Sequence, residues 1–181
     1  MKRFDICRTR PVCLFLILTV VGCAVRDRPG AVDANLYVDR GIAHAQKGQH
    51  QEAISYFSKA IEINPRSTDA YYNRGVAYHD KGLHDQAISD YTKVIEISPG
   101  LAEPYTNRGT AYLNKGQYDE AISDCTKAVE RNPRSAEAYW CRGIAYGSIG
   151  QIEKACADLK RACQLGECAP CERAKTEGFC K

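Results

Sequence analysis

The sequence lacks an apolar run long enough to cross a bilayer as a helix. Residues 12–21 are almost wholly apolar, but such a helix spans roughly 15 Å, about half of a hydrocarbon core of about 30 Å. The chain also lacks an excess of one charge. Its formal net charge of +3 comes entirely from residues 1–22, and the remainder is electrically balanced. A balanced chain has no electrostatic footprint for nucleic acid, so no nucleic-acid partner is expected.

Catalytic motifs are missing as well. The sequence has no nucleophile elbow, no phosphate-binding glycine loop and no helix motif with two histidines. Its four histidines are His44, His50, His79 and His84. His79 and Asp80 are neighbours on a predicted helix, where adjacent side chains do not face each other, so they form no dyad. We expect a non-enzymatic protein without a cofactor.

The N-terminus has the pattern of a secretory signal, with four basic residues, a short apolar core and a small residue at Gly22. Residues 20–23, Val-Val-Gly-Cys, resemble the bacterial lipobox, in which the cysteine is diacylated and becomes the new N-terminus. This resemblance predicts a signal peptide over residues 1–22 and lipidation of Cys23. An ordinary cleaved signal and an uncleaved anchor or internal segment are the alternatives.

Acyl chains on Cys23 would anchor the protein, because each buried CH₂ contributes about 0.8 kcal/mol. By resemblance to lipoprotein sorting, Ala24 after the cysteine favours the outer membrane. Residues 23–33 lack periodicity and contain Pro29-Gly30, which indicates a lipid tether or linker. The expected location is the bacterial cell envelope, with a lipid-anchored chain that faces the periplasm or is exposed at the surface.

A 34-residue period dominates the remaining sequence. Five series of residues share it, so their members occupy equivalent positions in successive repeats. The series are Arg40, Arg74, Arg108 and Arg142; Gly41, Gly75, Gly109 and Gly143; Gly48, Gly82, Gly116 and Gly150; Ala53, Ala87, Ala121 and Ala155; and Pro65, Pro99 and Pro133.

This pattern resembles the tetratricopeptide repeat (TPR) family from residue 34 to about residue 167. The second unit matches the family's positions at Tyr71, Gly75, Tyr78, Ala87, Tyr91, Val94 and Pro99, and the third at Tyr105, Gly109, Tyr112, Ala121, Cys125, Ala128 and Pro133. The chain departs from the family pattern at three positions that are aromatic in the family, where it has His44, Cys125 and Leu159. Its last unit also lacks the proline near the end of the second helix. The resemblance implies an all-α fold, an α-solenoid (right-handed superhelix) of four TPR helix-turn-helix units at 34–67, 68–101, 102–135 and 136–167. A short Cys-rich C-terminal cap is expected at 168–181.

Elementary helix chemistry supports these units. Gly75 shares a helical stripe with Tyr71 and has no side chain, so a neighbouring helix can approach it, at a helix-propensity cost of about 1 kcal/mol. Ser67 and Ser135 are predicted N-caps. Gly82 is expected to end the first helix of its unit in a positive-φ conformation.

The arginine series has a matching acidic series with the same period, Asp90, Asp124 and Asp158. We hypothesise the ion pairs Arg74–Asp90, Arg108–Asp124 and Arg142–Asp158. The alternative is that each arginine packs its stem and extends its guanidinium into solvent.

By resemblance, a TPR stack binds its partner in a concave groove lined by the first helix of each unit. Carried over to this chain, the groove residues are Asn35, Val38, Ile42, Ala45 and Gln46; Asp69, Tyr72, Val76, His79 and Asp80; Glu103, Thr106, Thr110, Leu113 and Asn114; and Glu137, Trp140, Ile144, Gly147 and Ser148. This set contains four acids and no Lys or Arg, which disfavours an acidic ligand. It favours a basic or mixed segment with an aromatic or aliphatic anchor, held by Tyr72 and Trp140. The alternative is a partner that binds elsewhere.

The cysteines are a second candidate feature, since export would place them where disulfides persist. The candidate disulfide residues are Cys163, Cys168, Cys171 and Cys180, which predict one or two bridges across the cap with open connectivity. A zinc site, or a redox-active pair of Cys168 and Cys171, is the alternative. Cys125, at a core aromatic position, is expected to be a buried small hydrophobic residue.

The sequence thus predicts a TPR-containing envelope lipoprotein, a non-enzymatic adaptor that binds a protein or peptide in its groove. A thiol-redox or metal-binding accessory protein that acts through its C-terminal cysteines is the alternative from another class. A cytoplasmic adaptor, in which residues 1–22 are not a signal, is a third.

Overall fold

The computed structural model describes residues 33–166, which form eight α-helices and no strand. The helices are α1 (Ala34–Ala45), α2 (His50–Ile63), α3 (Thr68–Asp80), α4 (His84–Ile97), α5 (Glu103–Asn114), α6 (Tyr118–Arg131), α7 (Ala136–Ser148) and α8 (Ile152–Gln164). Each helix packs on the next one along the chain, and the odd-numbered helices also contact one another in order. The predicted all-α solenoid of four helix-turn-helix units is confirmed.

Some predicted elements lie outside the described residues. These are the signal peptide at 1–22, Cys23 and the tether up to residue 32, and the cap at 168–181. Of the helices at 33–166, none combines the length and the apolar character that crossing a membrane requires.

The helix ends follow the local sequence. The Ser67 hydroxyl accepts a hydrogen bond from the Ala70 amide at 3.3 Å, and the Ser135 hydroxyl accepts one from the Ala138 amide at 3.2 Å. Both predicted N-caps are therefore confirmed, and each satisfies a backbone donor that the helix leaves open. Gly82 has a φ of 73°, as its place after α3 predicted.

A glycine in each unit lies against the middle of the following helix. A Cβ atom built on Gly75 would be 2.8 Å from Cε1 of Tyr91, and one built on Gly143 would be 3.0 Å from Cγ of Leu159. Tyr91 is 1% exposed, so its ring is packed on nearly every side. The predicted close approach of the two helices at this glycine is confirmed.

The expectation for Cys125 is only partly right. Cys125 is fully buried, as predicted, but it forms a disulfide with Cys141 and is not a free thiol. A sulfur replaces the ring that Tyr91 supplies at the equivalent place, which leaves room beside Gly109 for the sulfur of Cys141. The bond joins α6 of the third unit to α7 of the fourth.

Ion pairs form a seam along the stack. Nε and Nη2 of Arg74 donate to Oδ2 and Oδ1 of Asp90, both at 2.8 Å. Arg108 binds Asp124, and Arg142 binds Asp158, in the same two-pronged geometry at 2.7–2.9 Å. The hydrogen bonds that the guanidinium groups donate to the carboxylates raise the pKa of all three arginines. The predicted pairs are confirmed, and the solvent-exposed alternative is wrong.

Each arginine of this seam also reaches the preceding unit. Nη1 of Arg74 donates to the Ser58 hydroxyl at 3.0 Å, and Nη1 of Arg108 donates to the Thr92 hydroxyl at 2.8 Å. One guanidinium therefore binds both helices between which it lies. In the first unit, Arg40 is exposed and Tyr56 occupies the place of the aspartate, so the seam begins at the second unit.

Gly75→Ala tests the close approach. We expect it to lower the free energy of unfolding by about 1–3 kcal/mol, because the methyl group meets the buried Tyr91 ring. This loss outweighs a helix-propensity gain of about 1 kcal/mol. Gly147→Ala is the matched control, since its methyl group would meet only Cβ of Ala155 at 3.8 Å. Urea unfolding followed by circular dichroism measures both, and equal effects would contradict the argument.

Asp124→Ala tests the seam. It leaves the Arg108 guanidinium half-buried without its carboxylate, and we expect a loss of about 2–4 kcal/mol of stability. Asp119→Ala removes an exposed carboxylate from the first turn of the same helix, so its cost should be at most about 1 kcal/mol. The denaturant midpoints of the two variants at neutral pH give the comparison. A midpoint for Asp124→Ala no lower than that of Asp119→Ala would show that the pair contributes no stability.

Candidate functional site

The candidate site is the surface shared by α3, α5 and α7, since the odd-numbered helices contact each other from one unit to the next. Two hydrogen bonds cross this surface. Nδ2 of Asn107 on α5 donates to the Tyr72 hydroxyl on α3 at 2.9 Å, and Nδ2 of Asn114 lies 3.0 Å from Nε2 of His79. Tyr72 and His79 therefore lie on one continuous face with Asn107 and Asn114.

A small pocket opens on this face between α3 and α5. It has a volume of about 90 Å³ and is lined by Val76, His79, Tyr91, Asn107 and Thr110. Burial raises the pKa of the Tyr91 hydroxyl, so this wall of the pocket stays uncharged. The Thr110 hydroxyl donates to the Thr106 carbonyl at 3.0 Å. The pocket can hold an apolar side chain beside an amide group.

The predicted groove residues differ in accessibility. Exposed residues are Asn35, Gln46, Asp69, Asp80, Glu103, Asn114, Glu137 and Ser148, and half-buried residues are Ile42, Ala45, Tyr72, Val76, His79, Thr110, Leu113, Trp140, Ile144 and Gly147. The four acids are all exposed, and the large aromatic residues are partly covered. That distribution leaves polar groups at the surface and apolar groups partly open between them.

The groove prediction is wrong for two residues, because both are buried. Val38 and Thr106 are each only 6% exposed. Val38 belongs to the core of the first unit, and the Thr106 hydroxyl donates back to the Ala102 carbonyl. Tyr72 and Trp140 stand at the equivalent position in the other two units, where their larger side chains are only half-buried.

Two residues of the pocket were missed by the sequence prediction. Asn107 lies four residues after Glu103, a spacing that places both on one side of α5 and could have indicated its role. Tyr91 was assigned to the core, which is correct, but its ring also forms a wall of the pocket.

Three histidines surround the end of α3, which their spacing in the sequence did not indicate. Nδ1 of His50 lies 3.8 Å from Asp80, Nδ1 of His79 lies 3.9 Å from it, and the His79 and His84 rings are 5.3 Å apart. Both carboxylate distances exceed those of hydrogen bonds. Within residues 33–166, no three His, Cys, Asp or Glu side chains are arranged to hold a metal ion.

The candidate disulfides of the C-terminal cap stay a prediction. Cys163 lies on α8 and is disulfide-bonded, whereas Cys168, Cys171 and Cys180 lie outside the described residues.

Comparisons with known proteins agree with the repeat fold. Models described as TPR repeat match residues 34–82, and models described as tetratricopeptide repeat match residues 68–101, 102–135 and 136–165. No curated protein matches the sequence.

Solved structures with a similar fold include three from different organisms. MamA of Desulfovibrio magneticus is 25% identical, with a TM-score of 0.69 over 74% of this chain and 75% of that one. A thermophilic TPR protein of Thermus thermophilus is 25% identical, with a TM-score of 0.65 over 74% and 75%. The TPR domain of Arabidopsis OM64 is 25% identical, with a TM-score of 0.61 over 63% and 94%.

Proposed function

The chain belongs to the tetratricopeptide repeat family, and from this premise we propose that it is a non-enzymatic adaptor whose groove on α3, α5 and α7 holds a protein or peptide. One observation carries the proposal: this face presents partly open aromatic rings and a small apolar pocket between exposed carboxylates. Such a surface can hold an extended chain by contact and hydrogen bonding. The fold itself, shared with MamA and other TPR proteins, is typical of interaction modules.

The Tyr72 side chain is already held in one position before any partner binds. Its hydroxyl is held by Asn107, and its ring lies 6.1 Å from that of Tyr91 in a tilted arrangement. A side chain that is already fixed loses little conformational entropy when a partner binds. Aromatic residues of this kind supply much of the binding energy of protein interfaces.

Trp140 occupies the equivalent position two units further along and is half-buried. It is the only tryptophan in the sequence, so its fluorescence reports on this face alone. The two rings lie on either side of α5, which gives a bound segment two separate contacts.

The combined variant Tyr72→Ala/Trp140→Ala tests the groove. We expect about a hundredfold weaker partner binding, because each ring contributes on the order of 1–2 kcal/mol when it is buried in an interface. Tyr118→Ala is the control, since Tyr118 begins α6 and lies outside the groove. The three proteins would be used to capture partners from envelope extracts, and the affinity of each captured partner measured by calorimetry.

The proposal fails if a partner binds the double variant as tightly as the wild-type protein. Circular dichroism must first show that the helix content of the variant is unchanged. Equal losses in the double variant and in Tyr118→Ala would point to a general effect on the fold.

The location is the second part of the proposal: a lipid on Cys23 holds the adaptor at the bacterial cell envelope, with the outer membrane favoured, facing the periplasm or the outside. Support comes from the charged start, the short apolar core and the Val-Val-Gly-Cys sequence at 20–23. A lipid at the N-terminus would leave the repeats free to meet partners near the membrane.

Intact mass of the membrane fraction tests the lipid anchor. The expected species lacks residues 1–22 and carries acyl mass on Cys23, and Cys23→Ser should release the protein from membranes. Cys13→Ser, within the apolar run, keeps a cysteine at 23 and should change nothing. An unprocessed chain, or a cleaved chain without added mass, would exclude lipidation.

A further inference from the structure

A row of carboxylates crosses the groove. Asp69, Glu103 and Glu137 lie one repeat apart in the first turns of α3, α5 and α7, and all three are exposed. Positions three and seven residues further along share the same side of a helix. Each carboxylate therefore lies on the side of its helix that includes Val76, Thr110 or Ile144, about two turns before that residue.

The charges of this row are not neutralised within the groove. Among residues 33–166, Asp69, Glu103 and Glu137 take part in no ion pair, although Arg66 and Arg134 lie in the loops before α3 and α7. In this described part of the chain, the only side-chain hydrogen bond to a carboxylate of the row comes from the Ser135 hydroxyl, which donates to Glu137 at 3.1 Å. None of the predicted groove positions is Lys or Arg.

A second acidic row, on the even-numbered helices, shows the contrast. Glu62, Glu96 and Glu130 have the same period and are also exposed. A lysine precedes each of them by three residues, and Nζ of Lys93 lies 2.7 Å from Glu96. Glu96 is therefore paired with a lysine of its own helix, and Lys59 and Lys127 stand at the same spacing before Glu62 and Glu130. Within residues 33–166 the groove row contains no such pair.

The repeat also sets a distance. Packed helices lie about 8–10 Å apart. A polyproline II chain advances about 3.1 Å per residue and completes one turn in three residues, so every third side chain faces the same way. A chain that runs across α3, α5 and α7 therefore passes about three residues between one carboxylate and the next.

We propose that the groove binds a positively charged segment in the polyproline II conformation, whose lysines or arginines recur at every third residue, each beside one carboxylate of the row. Between the bases, an aliphatic side chain enters the pocket between α3 and α5. This inference rests on the groove function proposed above and adds the chemistry and the spacing of the occupant.

Synthetic peptides test the spacing directly. One peptide repeats Lys-Pro-Leu, which favours an extended chain; a second has the same composition with its lysines grouped at one end; a third has glutamate in place of lysine. Trp140 fluorescence and peptide anisotropy give the affinities. We expect the evenly spaced peptide to bind roughly tenfold more tightly than the grouped one, as three exposed ion pairs allow. The glutamate peptide should not bind, and added salt should weaken the spaced complex.

Two triple variants of equal charge separate the groove from the rest of the surface. D69N/E103Q/E137Q should bind the spaced peptide roughly tenfold less tightly. E62Q/E96Q/E130Q removes the same charge with the same period from the even-numbered helices and should bind it like the wild-type protein. Equal losses in the two variants, equal affinity for the spaced and grouped peptides, or no binding of the lysine peptides would each overturn the inference.

The variants distinguish a failure of the basic-segment inference from a failure of the proposed groove function. If a captured partner is lost from Tyr72→Ala/Trp140→Ala but retained in full by D69N/E103Q/E137Q, the groove is the binding site and its ligand is not this basic segment. If the partner is retained by both variants, the groove itself is excluded.

Discussion

The whole stack depends on how closely two helices can approach at a glycine. In the second unit the missing side chain at Gly75 lets the ring of Tyr91 lie where a Cβ atom would be. That contact sets the separation of the two helices in one hairpin, and the same glycine recurs in all four units. Equal hairpins then stack with equal offsets, because each unit can bury its apolar face only against its neighbours. The even spacing of groove positions along the inner face is a consequence of this one contact.

The arginine seam fixes the second relation, that between neighbouring units. Charged pairs are costly to bury, and a hydrophobic pair of similar volume is often as stable. Their value lies in geometry: the fork of Arg108 fits Asp124 on one helix and Thr92 on another only when the two units are in register. A shift of one unit past the other would keep the Arg108–Asp124 pair, because both residues belong to the third unit, but it would break the hydrogen bond from Arg108 to Thr92 of the second unit. The seam thus adds a polar contact that depends on the register of neighbouring units.

Periodicity predicted the fold, the helix caps, the close approach at the glycine and all three ion pairs, because equivalent positions in a repeat have equivalent backbone surroundings. Predictions failed where side chains of different size occupy one equivalent position. Val38, Tyr72, Thr106 and Trp140 occupy one equivalent position, yet only the two rings are partly exposed. Cys125 likewise made room for Cys141, a partner on another helix whose approach no spacing within one unit could reveal. The period predicts where a residue lies, and side-chain volume decides what it contacts.

The same reasoning explains why function in such a fold is carried by the residues that packing leaves free. Glycine, alanine and the seam residues are fixed by contacts with neighbouring helices, so they vary little from unit to unit. Asn35, Asp69, Glu103 and Glu137 are exposed and have no such constraint. Three of the four are nevertheless acids, and each lies in a first turn, where the helix dipole favours a negative charge. Like charges one repeat apart also repel one another. In the proposed complex a cationic segment offsets this repulsion without removing the favourable placement of each acid.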